Sequence, residues 1–136
     1  PYFHELYDVP YIGDLVGYPG AIQHAAFFRL PGQASAFLEL IQYLRPEPRR
    51  VDMAVYNIGI THLCFECEDL GATRARVEAI GGVVRSRRTT TSDYGVFTGT
   101  KSLFFQDPDG ISIQLVEIPA GVDPGGRSDV AEGDAR

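Results

Sequence analysis

Three polar side chains stand in mainly apolar, strand-like runs: Glu39 within FLELI, His62 within IGITHLC and Gln114 within SIQLV. Strand alternation puts Glu39 on one face with Phe37, Ile41 and Tyr43, His62 with Ile60 and Cys64, and Gln114 with Ser112 and Val116. A carboxylate aimed into such a row is expensive unless it is paired or bound to a cation. An imidazole alone on a strand is more often a hydrogen-bonded core residue than a metal ligand. The Gln114 amide binds metals poorly and could equally bond its neighbours.

Two further groups carry chemistry. Cys64 and Cys67 form a C-x-x-C, but residues three apart on a strand face opposite ways, so the plainer reading is two ordinary buried thiols in a reducing compartment. The stretch 85–95 (RSRRTTTSDYG) is too polar for a strand interior and longer than a hairpin needs. Its arginines, in an acidic protein, could meet a carboxylate or phosphate; a solvated loop is the simpler reading. His4 and His24 have no evident partners and read as surface or half-buried residues.

The elements that must position these groups follow from length and pattern. A chain of 136 residues with 44% apolar and 22% charged residues is long enough for one core without disulfides. The net charge of −6 lacks the basic stripe of a nucleic-acid-binding surface. No apolar run reaches the roughly 18 residues of a membrane span. The opening PYFHELYD has no signal-peptide pattern, a weak observation for a chain opening on Pro1; the expectation is a cytoplasmic protein.

Strands are expected at 21–30, 35–44, 58–67 and 111–118, with weaker candidates at 2–7, 83–87 and 101–106. Pro31-Gly32 and Asp107-Pro108-Asp109-Gly110 are turn signals. One helix is expected at about 69–80: Asp69 suits an N-cap, Leu70, Thr73, Val77 and Ile80 recur on one face, Arg74 and Glu78 occupy the other, and Gly81-Gly82 ends it. The connection 9–20 reads as a lid or an interface segment.

An internal repeat organises these elements. Residues 58–118 read strand, helix, strand, strand, strand; residues 2–44 read strand, strand, strand. Aligning the closing strands puts Glu39 opposite Gln114, and leaves the first half without a counterpart of 58–82. The division expected is 1–50 as a partial first module, 51–118 as a complete second module, and 119–136 as a flexible tail too poor in large apolar residues to order itself.

The segment NIGITHLCFECEDLGATRARVEAIGG, followed by SLFFQDPDGISIQLVE, resembles the second module of vicinal-oxygen-chelate proteins, the glyoxalase, bleomycin-resistance and dioxygenase superfamily. LPGQASAFLELIQYLRP resembles the closing strand of its first module. The resemblance implies an α+β fold of paired βαβββ modules forming a cupped mixed sheet, here with the first module lacking its opening strand and helix. It implies a divalent metal (Zn, Ni, Co, Mn or Fe) held by Glu39, His62 and Gln114, a mixed nitrogen and oxygen set. A fourth ligand would lie on the absent strand.

Gln114 departs from the glutamate usual at its position, and an amide cannot accept a proton at neutral pH. Glu39 is then the matched carboxylate left to act as catalytic base. The implied activity is that of a metal-dependent lyase or isomerase of the glyoxalase or epimerase type, acting on a small vicinal-dioxygen substrate through an enediolate-like intermediate. Ring-cleaving dioxygenase chemistry fits least, because it needs a glutamate where Gln114 stands. The alternative is a metal-free small-molecule-binding or drug-sequestering protein. A homodimer is expected in either case.

Overall fold

The computed structural model describes residues 1–32 and 36–122. Ser35, and the expected flexible tail from residue 123 onward, lie outside them. The chain divides into two compact units, Pro1–Val51 and Asp52–Arg136.

The first unit holds β1 (Phe3–Tyr7), α1 (Pro10–Val16), β2 (Ile22–Arg29) and β3 (Phe37–Arg45). Its strands form an antiparallel sheet in the order β1-β2-β3. The helix α1 replaces the irregular connection expected at 9–20. Pro10 occupies the first turn, where its missing N–H costs nothing, and Gly17 closes the helix at φ 75°, a conformation strained for any side chain.

The second unit holds β4 (His62–Glu66), α2 (Leu70–Ala79), β5 (Val83–Val84), β6 (Thr90–Thr91), β7 (Lys101–Gln106) and β8 (Ser112–Glu117). The sheet order is β4-β8-β7-β5, with β6 also paired to β7. Only the β4–β8 pairing is parallel, and a parallel pair requires a long crossover, which α2 begins. The strand expected over 58–67 is shorter than its apolar content suggests: Gly59 turns the chain at φ 92°, and Ile58 is fully exposed. The polar stretch 85–95 is not a bare loop, since it contains β6 and leads into a short 3-10 turn at Gly95–Phe97.

Side-chain chemistry at its N-terminus fixes α2. The Asp69 carboxylate accepts from the Ala72 N–H at 2.9 Å, and Glu117 accepts from the Leu70 N–H at 2.9 Å. Glu117 is also bonded by Lys101 at 2.6 Å; the Lys101 ammonium first, then the Leu70 N–H, hold its carboxyl below its ordinary pKa. Arg74 and Glu78 pair at 3.1 Å one turn apart on the exposed side. Leu70 is buried and Thr73 and Val77 are half-buried as expected, but Ile80 is 84% exposed because it lies past the helix end and off the sheet. Leu70, Leu103 and Leu115 form the core, with Phe65, Cys67, Val77 and Phe105 packed around them.

The ladders confirm the internal repeat. Phe27 pairs with Glu39 across β2 and β3, and Phe104 pairs with Gln114 across β7 and β8. Thus β1-β2-β3 corresponds to β5-β7-β8, and among the described residues no counterpart of β4 and α2 precedes β1. The consequence shows in burial. Leu115 lies under α2 at 5% exposure, whereas its counterpart Leu40 is 48% exposed, with Leu6 and Leu44 exposed on the same face. Leu115→Ala should therefore cost about 2–5 kcal/mol of stability and Leu40→Ala less than about 1 kcal/mol, measured by urea denaturation. Equal costs at the two positions would show that an unseen partner roofs the first sheet as α2 roofs the second.

Candidate functional site

Alternation along the second sheet separates two chemically distinct faces. Leu63, Phe65, Leu103, Phe105, Ile113 and Leu115 point toward α2 or share its side. The other face presents, in ladder rows, His62–Ser112–Gln106, then Cys64–Gln114–Phe104, then Glu66–Val116–Ser102. No helix of this unit covers that face among the described residues, and His62, Cys64 and Glu66 are exposed on it. The His62 ring stands edge-on to Phe104, with centroids 5.1 Å apart and planes at 67°. That is the edge-to-face arrangement that aromatic pairs favour.

His62 and Gln114 are therefore brought together on adjacent strands, one ladder row apart. Glu39 belongs to the first unit. There it shares a face with Phe27, Phe3 and Tyr7, and the aromatic rings of Phe3, Phe27 and Phe37 follow one another at 5.7 and 5.6 Å. Desolvation first, then the carboxylates of Glu5 and Glu39, push the Tyr7 phenol above its ordinary pKa. Glu39 and His62 are both exposed within their units, which corrects the premise that their polar groups are driven into apolar surroundings.

The cysteines diverge as alternation requires, but only one is sheltered. Cys67 is half-buried and its thiol lies 3.4 Å from the Val116 carbonyl. Cys64 is exposed beside Gln114, not an ordinary buried thiol. Its presence in the polar row was readable from its parity with His62; its exposure depends on what covers the face. A second shared feature of the halves was not readable at all. Gln23, four residues before Phe27, and Thr100, four before Phe104, are 4% and 6% exposed, and each keeps a buried oxygen without a hydrogen-bond partner among the described residues. Such an oxygen costs about 1–3 kcal/mol, and its repetition marks the two positions as equivalent.

As a metal centre the second unit alone is incomplete. Among the described residues no three His, Cys, Asp or Glu side chains converge. The donors on this face include the imidazole of His62, the amide oxygen of Gln114, the Cys64 thiol beside it and the Glu66 carboxylate one row on.

Residues 14–115 match the family model described as the Glyoxalase/Bleomycin resistance protein/Dioxygenase superfamily, well over half of the chain. The chain belongs to that superfamily. Solved structures of superfamily members have the same fold. A glyoxalase family protein from Bacillus cereus superposes with a TM-score of 0.73 at 17% identity, covering 85% of this chain and 75% of its own. A glyoxalase family protein from Enterococcus faecalis superposes at 0.52 and 23% identity, covering 83% and 75%. None of the curated proteins matches the sequence significantly. No helix among the described residues is long and apolar enough to cross a membrane.

Partial desolvation raises the pKa of both thiols, so neither is an activated nucleophile and access decides their reactivity. A thiol reagent on the native protein should label one cysteine quickly and the other slowly. Cys64→Ser should abolish the fast phase; its survival in that variant would place Cys64 on the covered side of the sheet.

Proposed function

We propose that this chain is a metal-dependent enzyme of the glyoxalase or epimerase type, acting on a small substrate with two neighbouring oxygens. The observation that carries the reading is the placement of His62 on the same sheet face as Gln114, one ladder row away, with Glu39 at the repeat-equivalent position of the first module. Members of the superfamily often bind a divalent metal, and a nitrogen and two oxygens suit Zn, Ni, Co, Mn or Fe. In this reading residues 1–50 and 51–118 act as the partial and the complete module, and a homodimer completes the assembly in a cytoplasmic setting.

The roles divide by chemistry. His62, in contact with Phe104, presents a ring nitrogen; Gln114 contributes its amide oxygen and cannot take up a proton. Glu39 is the carboxylate left to accept a proton from the carbon beside a carbonyl. When bound, the metal supplies Lewis-acid polarisation of the substrate oxygens.

A second reading has its own support. Phe104, Gln106, Ser102 and Gln114 give this face an aromatic residue and neutral hydrogen-bonding groups, which suit a small-molecule-binding or drug-sequestering protein without metal. Titrating metal-stripped protein with Zn, Ni, Co and Mn separates the two. The enzyme reading expects stoichiometric uptake of at least one ion. His62→Ala should lose more affinity than the roughly 10–100-fold that removal of an outer-shell partner costs. A folded protein that takes up none of these ions would leave the metal-free reading.

A further inference from the structure

We propose that the uncovered face of the second unit binds its ligand through a carboxylate, held by Arg85. The inference rests on this face being a ligand site, which both readings above share, and not on the metal.

The backbone places Arg85 there. Val83 pairs with Gln106 and Val84 with Phe105, so Val83 lies on the uncovered face and Arg85, two residues on, returns to it. The Arg85 and Ser86 N–H groups both donate to the Phe104 carbonyl, at 2.8 and 3.2 Å, while the Phe104 N–H donates to the Ser86 hydroxyl at 2.8 Å. Strand pairing ends at Val84, and these three bonds hold Arg85 beside Phe104 just beyond it. The result is a row running from Arg85 through Phe104 and Gln114 to Cys64, with His62 one row away.

Its charge is uncommitted. Arg85 is exposed and makes no salt bridge among the described residues, whereas Lys101, on the helix side of the sheet, is engaged by Glu117 and Arg74 by Glu78. The sheet positions beside Arg85 are Phe104, Gln106 and Ser102, none of them anionic, and Glu66 stands on the far edge strand. Arg85 therefore brings a positive charge to the Phe104 row of an otherwise neutral stretch of the sheet. Guanidinium binds the planar carboxylate through two parallel hydrogen bonds. A phosphate, with more charge and three acceptor oxygens, calls for several donors at once.

Strand spacing sets the ligand's size. From β5 to β4 is three inter-strand steps, roughly 14 Å, and an arginine and a histidine reaching toward each other leave space for about one ring over Phe104. The ligand class is therefore a small carboxylic acid with an apolar or unsaturated body.

The test is a chemical-shift titration of the ¹⁵N-labelled full chain with benzoate, benzamide and inorganic phosphate, in buffer with and without EDTA. Benzoate should shift the amides of Arg85, Ser86, Phe104 and Gln114 in both buffers. Benzamide should bind at least about tenfold more weakly. Arg85→Gln should weaken benzoate by a similar factor and leave benzamide unchanged, with Arg85→Lys between. Benzoate affinity unchanged in Arg85→Gln, shifts confined to other surfaces, tighter binding of phosphate than of benzoate, or no benzoate binding would each overturn the assignment. If metal uptake dependent on His62 survives that failure, the site stands and only the carboxylate is wrong. If benzamide and metal fail as well, the face is not a ligand site.

Discussion

The parallel pairing of β4 with β8 is the constraint on which the rest of the second unit depends. It sets His62 against Ser112 and Cys64 against Gln114, and because side chains alternate, it sends Leu63 and Phe65 to the opposite side with Leu115. A one-residue slip would exchange the two sets, burying His62 under α2 and exposing the core. Glu117 ties this register to the helix: it accepts from the first N–H of α2 while Lys101 on β7 donates to it. Sheet, helix and polar face are thus fixed together. Since the Glu117 carboxyl is held below its ordinary pKa, this contribution is present above the normal carboxylate range and is lost as pH falls through the depressed value.

The two modules show what the same pattern does with and without its strand and helix. Phe27 opposite Glu39 and Phe104 opposite Gln114 occupy one geometry, and a buried unpaired oxygen recurs four residues earlier in each. The apolar faces diverge. Leu115 is core because α2 lies on it; Leu40 is surface because nothing among the described residues does. Residue type sets which face a side chain takes, and the covering element decides whether it is buried.

That distinction also explains what was legible in the sequence. The helix 69–80 was readable because its signals are local: the Asp69 cap, the Leu70 and Val77 spacing and the glycines after it. The repeat was readable from strand order, and the superfamily from the resemblance of the segments 57–82, 102–117 and 30–46 to its modules. Burial of Cys64 and Ile80 was misjudged because it depends on tertiary cover, and β4 was read too long because Ile58 and Ile60 carry strand propensity that Gly59 interrupts. The short α1 was hidden by Pro10 and Gly17, which also suit a loop. Arg85 looked like one basic residue of a solvated stretch. Only the pairing of Val83 with Gln106 and the bond from the Arg85 N–H to the Phe104 carbonyl set it beside the polar face.

The register of β4 on β8 can be tested without any ligand. Nuclear Overhauser contacts between aromatic and methyl protons report which β4 side chains touch Phe104. The account predicts cross-peaks from the His62 ring to the Phe104 ring, with the Leu63 methyls contacting the α2 side instead. Leu63 methyls against Phe104, with the His62 ring silent, would contradict the separation of faces and with it the placement of every residue assigned to the site.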